Sequence, residues 1–301
     1  MSEAAPEVLI VGGGPGGMAA GIWARSTGLR ARLIDADRVL GGQLRTVLSP
    51  IVDYPGIQDV DGPALVAHLE EHFRAVQVPV RFGCRVVALD AEARSVTLEG
   101  GECLGAEALI LATGATRRRL GVPGEERWWG DGVYNSVSRY RDRTAGAVAV
   151  IVGGGDSAFE GAVKLARGCT RVHLVHRGSV CARPDFRRGA EQHPGVAIHA
   201  GRSVSAVLGE AHVEAVRLDD GHDLACAGVY VRVGVEPRTA FARGVLPMDA
   251  EGYLQIDAHC RCADGIYAVG DVCSPGAMAV SAAAGQAMIA CKHIQRAWLR
   301  R

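Results

Sequence analysis

Two stretches of the chain follow the same order of apolar and polar positions. In the first, the apolar run Val8–Val11 leads into a glycine-rich turn, a helical segment that ends near Gly28, and a second apolar run, Ala31–Ile34. Short, continuously apolar runs bounded by glycine are typical of buried strands in a parallel sheet. The pattern therefore predicts a strand, a helix and a second strand over residues 8–34.

The turn of this unit carries Gly12-x-Gly14-x-x-Gly17, and its second strand is followed by Asp35. In this setting the glycines allow a tight turn, a close approach of backbone N–H groups to a pyrophosphate, and close packing of helix on strand. The helix N-terminus favours the negative phosphate, and Asp35 can accept hydrogen bonds from a ribose without a 2′-phosphate. We therefore expect a dinucleotide site here.

The same unit recurs in the middle of the chain. A strand, Ala147–Val152, is followed by Gly153-x-Gly155-x-x-Ala158, a helix that ends at Gly168, and a strand, Arg171–Val175. The strand–turn–helix–strand context predicts a second dinucleotide site.

The second unit differs from the first at the position after its second strand. His176 and Arg177 stand where the first unit has an acid, and Arg183 follows closely. Basic groups here favour a 2′-phosphate, which an acid would repel. Two dinucleotide sites leave little room for a separate substrate domain, so we expect one cofactor to react with the other: FAD at the first site and NADPH at the second.

Composition narrows the class of protein. The chain has 301 residues, 48% of them apolar, and a formal net charge of zero. This length suits about two domains, and the neutral balance argues against a nucleic-acid partner. The apolar run near the C-terminus is too short for a span of about 20 residues, and the N-terminus lacks a basic leader. We expect a soluble, cytoplasmic protein.

Local arginine runs interrupt this neutral balance. They comprise Arg117–Arg119, Arg139, Arg141 and Arg143. They are either a solvated face or a docking patch for an acidic partner or a phosphate.

Neither the cysteines nor the histidines predict a metal site. The Cys260-x-Cys262 pair has no second pair to complete zinc ligation. His68-Leu-Glu-Glu71-His72 matches a zinc-peptidase pattern, but it lies on the flank of an amphipathic helical stripe. We expect no metal, and mostly buried, unreactive thiols among the nine cysteines.

Several further motifs, taken in order, resemble one family over essentially the whole chain. They are GGGPGGMAA, GGQL at 41–44, DYPGI at 53–57, LATGA at 111–115, GGGDSA at 153–158 and YAVGDV at 267–272. Together they resemble the low-molecular-weight thioredoxin reductase family. The resemblance implies an α/β fold of two Rossmann-like, three-layer domains. An FAD domain would comprise residues 1–115 and 243–301, with an NADPH domain, 116–242, inserted into it.

The resemblance also implies the cofactor contacts. FAD would be held by Gly12, Gly14, Pro15, Gly16, Asp35, Gly42, Gln43, Leu44, Val86 (or Val87), Thr113, Gly114, Gly270, Asp271, Met278, Ala279 and Val280. NADPH would be held by Gly153, Gly155, Asp156, Ser157, His176, Arg177, Arg183 and Gly234. The family has Arg-Gln where this chain has Met278-Ala279. Its second NADPH arginine is Gly178 here, so NADH remains an alternative to NADPH.

One family feature is missing from the chain. Thioredoxin reductases carry a C-x-x-C shortly before the second glycine turn, where this chain has Ser136 and Arg139 or, with a one-residue shift, Asn135 and Ser138. Serine cannot form a disulfide. The segment GVYNSVSRYRD is similar to that of thioredoxin-reductase-like ferredoxin/flavodoxin–NADP reductases. That resemblance implies a homodimer that passes electrons from NADPH through FAD to an acidic carrier or to a small-molecule acceptor.

Two other functions stay open at this point. The protein could be a disulfide reductase or dithiol oxidase that uses external thiols or Cys273, the cysteine nearest the expected flavin, with Cys260 and Cys262 as further candidates. It could also be a flavoprotein without catalytic turnover. The intact second glycine turn argues against the latter.

Overall fold

The structure is a computed structural model, and it describes residues 8–48, 50–178 and 180–300. The chain forms two compact units. Unit 1 runs to Thr116 and resumes at Glu236, and unit 2 comprises Arg117–Val235 between those segments. The sequence predicted domain boundaries at 115/116 and 242/243, and the assignment of one cofactor to each unit stays a prediction.

The helices and strands of the described residues are numbered in chain order. They are β1 (Val8–Val11), α1 (Pro15–Ser26), β2 (Ala31–Ile34), α2 (Gly62–Ala75), β3 (Val80–Arg81), β4 (Val86–Asp90), β5 (Ser95–Leu98), β6 (Cys103–Gly105), β7 (Ala108–Leu111), β8 (Ala115–Arg117), β9 (Val133–Tyr134), α3 (Val137–Tyr140), β10 (Val148–Val152), α4 (Asp156–Ala166), β11 (Arg171–His176), α5 (Pro184–Gln192), β12 (Val196–Ala200), β13 (Val204–Leu208), β14 (Ala215–Leu218), β15 (Asp223–Ala225), β16 (Gly228–Val231), β17 (Val235–Pro237), β18 (Arg261–Ala263), β19 (Ile266–Ala268) and α6 (Val280–Trp298). Short 3-10 helices span Gly42–Thr46, Arg141–Thr144, Ala240–Ala242 and Gly270–Val272.

Unit 1 has three layers around a six-stranded sheet with the order β18-β19-β7-β1-β2-β3. Helices α1, α2 and α6 pack on one face, where Met18, Phe73 and Ile294 share a core. The antiparallel strands β4, β5 and β6 cover the other face. Strand β1 lies between β2 and β7, parallel to both, so all four of its residues are buried. This two-sided burial explains why its sequence is continuously apolar.

Unit 2 repeats these layers around a parallel sheet with the order β12-β11-β10-β16-β9. Helices α4 and α5 cover one face, and the antiparallel strands β13, β14 and β15 cover the other. The strand order reverses at β10, because β11 lies on one side of it and β16 on the other. The predicted α/β class, with two Rossmann-like, three-layer units and one inserted in the other, is confirmed.

The helix ends follow local capping rules. Helix α1 ends at Ser26, earlier than the sequence pattern suggested, because Gly28 adopts a left-handed φ of 77° and turns the chain. Helix α2 begins after Asp61, whose side chain accepts a hydrogen bond of 2.9 Å from the N–H of Ala64. His68 and His72 lie exposed on α2.

The chain passes from unit 1 to unit 2 and back through β8 and β17. These two strands pair with each other in a two-stranded sheet. The two crossing points are therefore neighbours.

The first glycine turn shows why two of its glycines are required. A Cβ atom at Gly17 would lie 1.8 Å from the carbonyl oxygen of Gly12, so α1 sits closer to the turn than any side chain allows. Gly12 itself has a left-handed φ of 107°. At Gly14, by contrast, nothing lies within 4 Å of an added Cβ.

We expect Gly17→Ala to lower the free energy of unfolding of the FAD-free protein by about 3 kcal/mol, because its methyl group would push α1 off the turn. Urea titration followed by circular dichroism measures this change. Gly14→Ala is the matched control and should cost less than about 1 kcal/mol. A Gly17→Ala protein as stable as the control would contradict the close contact.

Candidate cofactor-binding sites

The first glycine turn leaves the N-terminus of α1 free to bind an anion. Gly14 is the N-cap residue, and no side chain caps the helix. The first N–H groups of a helix have no partner within the helix and carry a partial positive charge. The open space beside Gly14 gives a phosphate room to approach them. This turn therefore fits a pyrophosphate, as the sequence predicted.

Asp35 lies beside the same turn, at the end of β2. One of its carboxylate oxygens accepts a hydrogen bond from the N–H of Gly13, and the other accepts one of 2.7 Å from the N–H of Asp37. Burial raises the pKa of this carboxyl group above its ordinary value. Each carboxylate oxygen keeps a second lone pair, so the group can still accept hydrogen bonds from ribose hydroxyls.

A cavity of about 430 Å³ opens next to Asp35 and brings several predicted FAD residues together. Its lining includes Gly12, Asp35, Val86 and Thr113. It also includes residues that the motifs did not indicate: Val11, Ile34, Ala36, Asp37, Cys84, Arg85, Thr116 and the continuous segment 236–241. Its size and its mixed lining fit the adenosine half of FAD.

Arg238 is one of the lining residues that no sequence motif indicated. Its carbonyl oxygen accepts a hydrogen bond of 2.8 Å from the hydroxyl of Thr113, and its N–H donates one of 2.9 Å to the carbonyl of Gly114. These contacts join two chain segments that are far apart in sequence. No local pattern could have shown the pairing.

A buried ion pair fixes the predicted flavin-side loop. Gly42, Gln43 and Leu44 form most of a 3-10 helix, and Gly42 lies against the first glycine turn: an added Cβ would be 3.3 Å from the Cα of Gly14. Arg45, the next residue, pairs with the buried Glu70 of α2. Because a buried carboxylate needs such partners, this pair holds the loop against α2.

The second flavin-side segment is held by Gln286 of α6. Its side-chain oxygen accepts a hydrogen bond of 2.7 Å from the N–H of Gly270, and its amide donates one of 2.6 Å to the hydroxyl of Ser274. Asp271 is half-buried in the 3-10 helix between them. The predicted residues Met278, Ala279 and Val280 lie at the start of α6, whose N-cap, Ala279, provides no side-chain cap. The sequence motifs did not indicate Gln286.

The cysteines of unit 1 are poor candidates for redox chemistry. All nine cysteines of the chain are free thiols. Burial raises the pKa of Cys273 to about 12, that of Cys262 to about 12 and that of Cys260 to about 11. Because the thiolate is the reactive form, these three thiols are almost wholly unreactive at neutral pH.

The second glycine turn has the same design. Gly153 has a φ of 148°, and the N-cap residue of α4, Gly155, lacks a side-chain cap. Asp156 accepts two hydrogen bonds from Arg183, one of 2.7 Å from its N–H and one of 2.8 Å from its Nε. The N–H of Cys181 donates one of 3.0 Å to the carbonyl of Gly154, so the 180–183 segment is tied to the turn.

The predicted 2′-phosphate residues differ in exposure. His176 is buried, and its Nδ1 lies 3.0 Å from the carbonyl oxygen of Gly178. Arg177 and Ser157 are exposed. Gly234, with a φ of 93°, accepts a hydrogen bond of 3.1 Å from the N–H of Arg118. Arg177 is thus the cation most available to a phosphate after β11.

The positions of the missing dithiol form the start of α3. The hydroxyl of Ser136 is the N-cap and accepts a hydrogen bond of 3.4 Å from the N–H of Arg139. Tyr134 and Tyr140 stack on each other on either side of this segment, with ring centroids 4.8 Å apart. Ser136 therefore has a structural partner here.

Membrane spans and metal clusters are both absent from the described residues. Among the helices of this part of the chain, none has both the length and the apolar character that a membrane span requires. Over the same residues, no three His, Cys, Asp or Glu side chains converge in a way that could hold a metal ion.

Comparisons with known proteins agree with these two sites. A family model described as pyridine nucleotide-disulphide oxidoreductase matches residues 6–287. A thioredoxin reductase of Mycolicibacterium smegmatis is 32% identical over 317 residues, 99% of this chain and 98% of the relative. An alkyl hydroperoxide reductase component of Pseudomonas putida, its F polypeptide, is 32% identical over 278 residues, 88% of this chain but 53% of the relative, so the chain spans about half its length.

A solved structure extends this similarity to the whole fold. The thioredoxin reductase of Lactococcus lactis, in its FR conformation, has a TM-score of 0.84 and 25% identity, over 98% of this chain and 100% of the other. The resemblance to low-molecular-weight thioredoxin reductases is thereby confirmed, as are the cofactors expected from it. The chain belongs to the pyridine nucleotide-disulphide oxidoreductase family, whose members are enzymes that use FAD and NADPH.

Proposed function

We propose that the protein is an FAD-dependent NADPH oxidoreductase that passes electrons to an external carrier without a dithiol of its own. The observation that carries this proposal is the start of α3, where Ser136 caps the helix at the position of the family's redox cysteine. The high pKa values of Cys260, Cys262 and Cys273 support it, because they leave no reactive thiolate at neutral pH in that part of unit 1.

Each unit would bind one cofactor. The first glycine turn would hold the pyrophosphate of FAD and Asp35 its ribose, and the second turn would hold NADPH with Arg177 at the 2′-phosphate. Bound FAD would accept a hydride from NADPH and supply electrons one at a time. The homodimer and the cytoplasmic location expected from the sequence stay predictions.

The proposed acceptor is a small acidic carrier of the ferredoxin or flavodoxin class. Arg139, Arg141 and Arg143 are exposed along α3 and the 3-10 helix after it, with Asp142 as the acid among them. A positive surface steers and orients an acidic partner. The cluster begins at the segment that replaces the dithiol, where the family's electrons leave the enzyme.

A second candidate function is reduction of a disulfide supplied by a partner. The relatives named thioredoxin reductase and alkyl hydroperoxide reductase favour it. An acceptor panel separates the two: NADPH consumption is measured with ferredoxin, flavodoxin, thioredoxin, low-molecular-weight disulfides, a quinone and oxygen. Turnover with ferredoxin or flavodoxin at least tenfold above thioredoxin supports the proposal, and the reverse order contradicts it. A protein that binds FAD but is not reduced by NADPH or NADH would be a non-catalytic flavoprotein.

Thiol titration tests the absence of a dithiol. We expect the number of reactive thiols in the folded protein to stay the same after anaerobic reduction by NADPH, because its cysteines are already free. Cys273→Ser should leave NADPH oxidation unchanged within about twofold. The appearance of two new thiols per FAD would contradict the proposal.

Charge reversal tests the docking patch. Replacing Arg139, Arg141 and Arg143 by Glu should raise the KM for an acidic flavodoxin about tenfold or more and weaken its salt dependence, because the electrostatic steering is lost. A neutral quinone serves as the control acceptor and should be used at the wild-type rate. An unchanged KM for flavodoxin would remove this surface from the proposal.

Removal of the exposed arginine after β11 tests the cofactor preference. Arg177→Ala should raise the KM for NADPH about 10- to 100-fold through loss of a charge-assisted hydrogen bond, and that for NADH less than about threefold. The control is Arg187→Ala on α5, where the arginine pairs with Glu191 at 2.8 Å. Equal effects on both nucleotides would refute the role of Arg177.

A further inference from the structure

Arg232 lies directly beside the second glycine turn, although no motif includes it. It follows β16, and its N–H donates a hydrogen bond of 2.8 Å to the carbonyl of Val152, the last residue of β10. A Cβ at Gly153 would lie 2.2 Å from the carbonyl oxygen of Arg232. The two chain segments therefore meet at the carboxyl edge of the sheet.

The guanidinium of Arg232 is buried and incompletely paired. Its Nη1 donates a hydrogen bond of 2.6 Å to the carbonyl of Asn135, but its Nε is buried and has no partner. Burial, and the like charge of Arg117, lower its pKa to about 10, while Glu160 acts in the opposite sense. A buried cation with an unused donor costs free energy unless an anion compensates for it.

The strand order places this cation on one half of the dinucleotide site. A dinucleotide lies across the point where the strand order reverses, which is β10 in unit 2. The adenosine ribose belongs to the side of β11, where Arg177 follows the strand. The other half of the nucleotide then extends to the side of β16, where Arg232 stands.

We propose that Arg232 binds the phosphate on the nicotinamide side of the pyridine nucleotide. This inference rests on the proposed function, because it takes unit 2 as the site of NAD(P)H. Both NADPH and NADH carry this phosphate, so Arg232 strengthens the binding of either. Arg177, by contrast, discriminates between them. The two arginines therefore divide affinity and selectivity between opposite sides of β10.

The test compares binding of four ligands to the FAD-loaded wild type and to Arg232→Met, by calorimetry. NADPH, NADH and ADP-ribose all carry the phosphate in question, and 2′,5′-ADP lacks it. We expect the variant to bind the first three about 10- to 100-fold more weakly and 2′,5′-ADP within about threefold of wild type. Arg232→Lys, which keeps the charge, should lose less.

The control is Arg217→Met in the same unit. That arginine is exposed on β14 and pairs with Asp223 at 2.8 Å. It should bind all four ligands as the wild type does. An Arg232→Met protein that matches this control for every ligand overturns the inference.

A second measurement separates binding from a merely structural role. Without nucleotide, Arg232→Met should unfold at the wild-type temperature or above it, because an apolar side chain replaces a buried, incompletely paired cation. A lower unfolding temperature together with equal losses for all four ligands would assign Arg232 a structural role and overturn the inference. Arg232-dependent binding of ADP-ribose without reduction of FAD by NADPH would instead overturn the proposed function and leave this inference standing.

Discussion

The close contact between a helix and the turn before it determines what each unit can bind. In unit 1 the contact of Gly17 with the Gly12 carbonyl brings α1 onto the end of β1, and the uncapped N-terminus then faces the open side of Gly14. In unit 2 an alanine takes the place of the third glycine, and its Cβ would lie 3.1 Å from one added to Gly153. The same packing is therefore reached with slightly more room. Both turns present unpaired backbone N–H groups at the carboxyl edge of a parallel sheet, which is where a phosphate can use them.

The chemical difference between the sites begins at the end of the next strand. In unit 1 a carboxylate follows β2, and backbone N–H groups hold it beside the cavity. In unit 2 a buried imidazole ends β11, and the exposed Arg177 comes next. One scaffold thus repels a 2′-phosphate at its first occurrence and attracts one at its second. The substitution of Ser136 for a redox cysteine then changes what can leave the protein, without changing the scaffold.

Much of the fold could be predicted because the relevant signals are local. Strands β1 and β2 have the predicted bounds, since a buried parallel strand must be apolar throughout and the glycines fix its ends. Strand β11 extends one residue further, to His176, because that side chain is buried against Phe159 rather than exposed at the strand end. Gln286, Arg238 and Arg232 could not have been found in this way. Their roles depend on contacts with residues distant in sequence, and each is a common residue type without a motif.

The pairing of β8 with β17 places the two ends of the inserted unit side by side. Unit 2 is one continuous stretch with its own parallel sheet and its own two cores, and nothing in its strand order depends on the flanking segments. Such an arrangement lets a whole nucleotide-binding module be excised, or exchanged for that of a relative, with a short linker closing the gap between neighbouring strands. Evolution could therefore replace the electron exit of this scaffold in a single recombination event and retain the flavin-binding half unaltered.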